Sequence, residues 1–218
     1  MPRPCFRELL DDVLADRRLL THPFYRRWEA GELTAGELSA YAAQYRYFER
    51  ALPEVLAEAW AAMAEGEARR TVRANLDDEL AVPAPHVELF EDFATAVGAP
   101  DDAPTAATAA LVEQYRAAVR RGPAALLAAL AAYETQSAAI ARSKADGLQA
   151  RYGLSEAQTR FWDVHAVMDA AHGAWTLDAL AALDADPASV RTEARAAADA
   201  WWSFLDERQE AAPELVRS

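Results

Sequence analysis

His165, Asp169 and His172 stand four and then three residues apart. At 100° per residue of helix they project within roughly 60° of one another. Two imidazoles and a carboxylate on one helix face are a ready set of metal ligands that leaves positions open for dioxygen. The neighbours Val164, Val167 and Met168 give this helix an apolar setting. There, imidazole and carboxylate need partners, and a metal ion is the simplest shared one. The competing reading is a polar surface stripe.

Glu79 and His86 form a second pair, seven residues apart. An uninterrupted helix would put them on one face, but Pro83 and Pro85 make the segment irregular. Alone, Glu79 would read as a solvated carboxylate, like Asp77 and Asp78 beside it, and His86 as a helix cap. Their weight comes from pairing with the His165 set. Glu134 is the third element. It lies in an almost wholly apolar stretch with Leu126, Leu127, Leu130, Tyr133 and Ile140, where a carboxylate must be neutralised, paired or coordinated. A surface position on an alanine-rich helix is its alternative.

These six residues use three of the four histidines in the chain. Three carboxylates and three imidazoles without a thiolate suit iron or manganese, and fit structural zinc poorly. Two metal ions sharing bridging carboxylates would occupy all six.

Several helices must position them. Phe6–Leu20 carries helical apolar spacing and ends before Thr21-His22-Pro23. Thr34 to Glu37 is a capping box opening a long helix through Tyr41, Tyr45, Phe48 and Leu52, with Pro53 expected to kink it. Further helices are expected over Glu67–Leu80, His86–Val97 and Ala106–Arg120, and from Pro123 to about Ala150. A second capping box at Ser155 opens a helix to about Leu183, and Asp186-Pro187 opens the last. No strand shows sustained alternation. The expectation is an all-α, single-domain bundle of about seven helices spanning residues 1–218.

Composition agrees. Of 218 residues, 52% are apolar and only 8 are glycine. The net charge of −13 argues against nucleic acid as a partner. There is no uninterrupted apolar run of bilayer length and no apolar leader, so neither a membrane span nor secretion is expected. The single cysteine, Cys5, cannot form an internal disulfide. A cytoplasmic protein is expected, as a monomer or homodimer.

Ferritin-type bundles use a Glu-x-x-His pair from each of two helices, whereas this chain has one comparable pair, Asp169-x-x-His172. The order Glu-x6-His, a lone Glu, then His-x3-Asp-x2-His resembles the haem-oxygenase-like diiron oxidases across nearly the whole chain. Finer marks are His22-Pro23-Phe24-Tyr25 before Trp28, the aromatic run from Tyr41 to Phe48, Asn75 to Glu79, and Tyr133 to Lys144. These resemble the Chlamydia protein associating with death domains and its subfamily, self-sacrificing synthases of para-aminobenzoate for folate synthesis. The host partner in that name is not carried over.

The resemblance implies that Tyr25 is the tyrosine whose ring becomes product, that Tyr41 assists its oxidation and that Lys144 supplies nitrogen. It implies two iron ions, or iron with manganese, held by the six ligands, with dioxygen and an external reductant as co-substrates. Beside this stands a property of the chain itself: Lys144 is its only lysine. Arginine stays charged and is a poor amine donor, whereas a buried lysine can lose its proton. Lys144 lies ten residues after Glu134, about 80° around the helix, and can border the same cavity. Taken alone, Tyr25 would read as core, and His22 reads as structural. One departure is Phe161, followed by Trp162, where the chlamydial member has tyrosine four residues before the first histidine of the last motif.

Two alternatives remain at this stage. One is a diiron oxidase of the same fold acting on an external amino acid, fatty acid or N-oxygenation target, bound near Tyr41, Tyr45 and Trp162. The other is a non-catalytic helical binding protein.

Overall fold

The computed structural model describes residues 5–81 and 84–215. Among them are nine α-helices and one short 3-10 turn, with no strand. The class is as expected, and the helix count is higher because Pro23–Ala30 forms a helix of its own that the sequence reading did not include. In place of a helix over Phe6–Leu20 there is α1 (Phe6–Val13), then a 3-10 turn at Leu19–Thr21. Long-range contacts decide this. Arg17 Nε donates to Asp199 at 2.8 Å, and the Leu19 amide donates to the buried Gln136 Oε1 at 3.0 Å. A continuing helix would forfeit both.

Local signals set most other boundaries. His22 caps α2 (Pro23–Ala30): its Nδ1 accepts from the Phe24 amide at 3.1 Å and its Nε2 lies 3.0 Å from Asp206 Oδ1. Its role is structural, as read from the sequence. Thr34 and Glu37 bond reciprocally at 3.2 and 2.7 Å and start α3 (Ala35–Ala62), which runs on through Pro53. The following helices are α4 (Glu67–Glu79), α5 (His86–Ala96) and α6 (Ala106–Arg121). Then come α7 (Pro123–Tyr152), α8 (Glu156–Ala182) and α9 (Pro187–Leu215). Pro85 stands at the N-cap of α5, while Pro83 lies outside the described residues.

The core is organised around α7. Its residues Leu126 to Ala132 are all buried, which a helix achieves only when covered on every side. It is long and apolar enough by composition to cross a bilayer, yet 61% of its apolar window is buried inside the protein. α8 and α9 lie along α7, and α8 also packs on α4 and α5. That sandwich brings the carboxylate of α7 and the imidazoles of α8 to the broken end of α4–α5. The long α3 packs on α4, α5, α6 and α9.

Candidate active site

At the break between α4 and α5, Glu79, His86 and His165 converge. One ligand atom from each lies within 4.8 Å of the other two. Glu79 Oε2 and His86 Nδ1 are 3.3 Å apart, but neither has an aligned hydrogen-bond partner among the described residues. Leaving two buried polar atoms unsatisfied is costly, and a shared cation supplies what both lack. Burial disfavours the His86 cation, but the neighbouring Glu79 outweighs this and the net shift is upward.

Outer partners set the imidazole orientations. His165 Nδ1 lies 2.8 Å from the Phe161 carbonyl. A carbonyl only accepts, so Nδ1 carries the proton and Nε2 keeps a free lone pair. His172 Nε2 lies 2.8 Å from Asp78 Oδ2, which leaves Nδ1, 3.6 Å from Asp169 Oδ1, as its ligand atom. Asp78 is therefore not the freely solvated carboxylate that the sequence suggested. Val167, read as part of an apolar setting, is 73% exposed, because it lies opposite the ligand face of α8.

Glu134 lines the same cavity as Asp169 and His172. Asn75 Nδ2 and Thr176 Oγ1 each donate to its carboxylate at 2.6 Å. Burial raises its pKa, and Thr176, His172 and Asn75 partly offset this. Gly173 sets how closely α8 approaches α7: a Cβ there would stand 3.0 Å from the Glu134 carbonyl oxygen. Glu79, Glu134, His165, Asp169 and His172 all line one narrow cavity of ≈ 30 Å³, and His86 closes on it through Glu79 and His165. Two imidazole–carboxylate groups around one cavity fit a pair of hard or borderline cations.

Tyr25, Tyr41 and Lys144 meet elsewhere. Lys144 does not line that cavity. Its Nζ donates to Tyr41 Oη at 2.6 Å, and Tyr41 Oη lies 3.0 Å from Tyr25 Oη. Nζ stands 4.6 Å from the centre of the Tyr25 ring, 4.9 Å from that of Tyr45 and 4.0 Å from that of Trp162. Burial pushes the amine well below the ordinary lysine range, opposed by Glu49, and raises the Tyr25 and Tyr41 phenols. Rings join the two centres. His165 is 4.2 Å from Phe161 and Phe161 is 4.7 Å from Trp162; Trp162 is 5.6 Å from Tyr45, which stacks on Tyr41 at 5.4 Å.

Sequence reasoning missed Asn75 and Thr176, whose roles arise only from packing across helices. It also missed Glu49, which lines the metal cavity and is buried. The signal for Glu49 was present: it follows Tyr41 and Tyr45 at four-residue steps on the helix opened by Thr34.

A family of iron-containing redox enzymes matches residues 39–202. A 4-aminobenzoate synthase of Nitrosomonas europaea is 34% identical, covering 92% of this chain and 89% of that protein. One of Chlamydia muridarum is 30% identical over 92% and 89%. Among solved structures, a TenA homologue from Pseudomonas syringae superposes with a TM-score of 0.83 at 16% identity, covering 95% of this chain and 94% of that one. A CADD-like protein of unknown function from Nostoc punctiforme superposes at 0.74 and 18% identity, over 95% and 98%. A Shewanella denitrificans domain described as having a haem-oxygenase-like fold does so at 0.72 and 16%, over 97% and 91%. The chain belongs to the haem-oxygenase-like family of iron-containing redox enzymes, with relatives named 4-aminobenzoate synthase.

Proposed function

We propose that the protein makes para-aminobenzoate from the side chain of its own Tyr25, with nitrogen from Lys144, once per chain. The observation that carries this is the run Lys144 Nζ–Tyr41 Oη–Tyr25 Oη, with contacts of 2.6 and 3.0 Å inside a closed aromatic cage. In the product the amino group lies para to the carboxylate. In tyrosine the hydroxyl lies para to Cβ. The nitrogen would therefore replace the Tyr25 hydroxyl: a ring C–N bond forms as the ring C–O bond breaks and its oxygen leaves as water. The Lys144 Cε–Nζ and Tyr25 Cα–Cβ bonds are cleaved, and dioxygen with the external reductant supplies the oxidation of Cβ to the carboxylate. Tyr41 holds both groups at one oxygen. The lowered pKa of Lys144 leaves a free amine, the form able to bond carbon. Trp28, Phe24 and Trp162 are buried around this pair and exclude water.

Glu79, His86 and His165 would hold one metal ion, and Glu134, Asp169 and His172 the other: two irons, or iron and manganese. When bound, the pair supplies activation of dioxygen with electrons from an external reductant. The neighbouring cavity, ≈ 30 Å³, is about the size of one water. The space beside Lys144 is filled by the buried side chains of Tyr25, Tyr41, Tyr45 and Trp162, which favours a self-substrate over an external one. In this reading the protein works in the cytoplasm and feeds folate synthesis.

The test is intact-mass spectrometry of anaerobically iron-loaded protein before and after oxygen and reductant, with para-aminobenzoate assayed in the same sample. A mass loss mapping to Tyr25, with at most one product per chain, is expected. Unchanged mass with continuing oxygen consumption would redirect the search to an external substrate.

A further inference from the structure

We infer that Glu49 is an additional carboxylate donor to the metal centre, beyond the six residues of the sequence motif. This rests on the reading of the cavity as a two-metal site. Glu49 is on α3, from which none of the six ligands comes. It is 3% exposed, lines the same cavity as Glu79 and Asp169, and its Oε2 has no hydrogen-bond partner among the described residues. No arginine or lysine forms an ion pair with it among those residues, and a buried carboxylate oxygen without a partner is costly. The neighbouring carboxylates add to the cost, since Glu79, Glu134 and Asp169 line the same cavity.

A cation at the cavity reverses every one of these costs. Glu79, Glu134 and Asp169 carry three negative charges against four positive charges on two divalent ions. Glu49 brings the count to neutrality inside a low-dielectric core. As a further oxygen donor it also biases the site towards hard ions of the iron and manganese kind. Its place on α3 gives it a second consequence. Tyr41, Tyr45 and Glu49 follow one another at single-turn spacing, so the helix face that holds Lys144 ends at the metal cavity. A ligand on that face makes ion binding and the placement of Tyr41 mechanically interdependent.

The experiment is anaerobic titration of the full chain with cobalt(II), a spectroscopic stand-in for ferrous iron. Binding is followed by visible absorption and by metal analysis after desalting, with circular dichroism to verify folding. Wild type should bind two ions. Glu49→Gln, nearly isosteric, should bind at least one of them about tenfold more weakly or worse, with altered cobalt bands. Glu49→Met, which removes all oxygen donors, should behave alike, and the apo Met variant should melt above wild type because an unpartnered buried carboxyl is gone. Two ions bound by both variants with wild-type affinity and bands, while Glu134→Gln loses one, would overturn the role of Glu49 and keep the six-ligand centre. A wild type that binds no ion would overturn the metal reading and Glu49 with it.

Discussion

The metal cavity and the lysine cage lie on neighbouring stretches of the same helices but are built on opposite principles. In the cavity, polar groups converge with some needs unmet: Glu79, His86 and Glu49 each bury an atom without a partner among the described residues. In the cage, Lys144 and two phenols bond to one another and aromatic rings close around them, with Trp162 Nε1 the one ring nitrogen there that lacks a partner among the described residues. On the proposed reading the cavity is a receptacle that would gain stability on binding cations. The cage is preorganised, holding Lys144 and Tyr25 on either side of the Tyr41 hydroxyl with nothing added. The proposed single-use reaction on the protein's own atoms would need this division, because oxidising power would be loaded from outside while the substrate is already in place.

The sharpest break in that comparison comes from the cage. Tyr25→Phe and Lys144→Arg should each abolish para-aminobenzoate formation while both ions still bind, measured by product chromatography alongside metal analysis. Product formation by either variant would detach the cage from the chemistry. The converse break is Glu79→Gln. Product should fall at least 100-fold and the bound metal to about one ion per chain, with Tyr25 intact by peptide mass mapping.

A smaller effect tests how the halves of the cavity are held. In Gly173→Ala the added methyl meets the Glu134 carbonyl oxygen at 3.0 Å, and α8 must shift from α7. A cost of about 1–3 kcal/mol in urea unfolding is expected, with weaker binding of the ion beside Glu134 and His172 and little change at the ion beside His165. Equal loss at both would show that α7–α8 spacing governs the whole cavity.

The smallest effect concerns pH. The folded pKa of Lys144 lies below its unfolded value because burial disfavours the cation. Between the two, the unfolded chain binds the extra proton, so this lysine makes stability rise with pH from the folded pKa up towards the ordinary lysine range. Lys144→Met should remove that rise. The check is the difference between wild-type and variant denaturation midpoints from pH 7 to about 9.5, below ordinary tyrosine ionisation. A constant difference would mean that Lys144 is buried as the cation, and the free amine required of the cage would be lost.

The sequence alone determined what depends on near neighbours. Helix periodicity put His165, Asp169 and His172 on one face, because four- and three-residue steps return to the same side of a helix whatever surrounds it. Capping chemistry at Thr34 and Pro123, and the proline at 187, marked helix starts within a residue or so, since caps are local bonds. Only the tertiary structure decided how faces from different helices meet. It broke Phe6–Leu20 because Asp199 and Gln136, far along the chain, offered better partners. It gave Asp78 to His172 and clamped Glu134 between Asn75 and Thr176. It turned Lys144 into an aromatic cage instead of the metal cavity, since 80° of helix rotation was enough to face α2 and α3. It buried Glu49 among other carboxylates: four-residue steps put it on the face of Tyr41 and Tyr45, but only packing decided what that face meets. Contacts of that kind depend on the closeness of α7 and α8 at Gly173 and on α3 crossing the bundle, and those follow from packing volume summed over many residues.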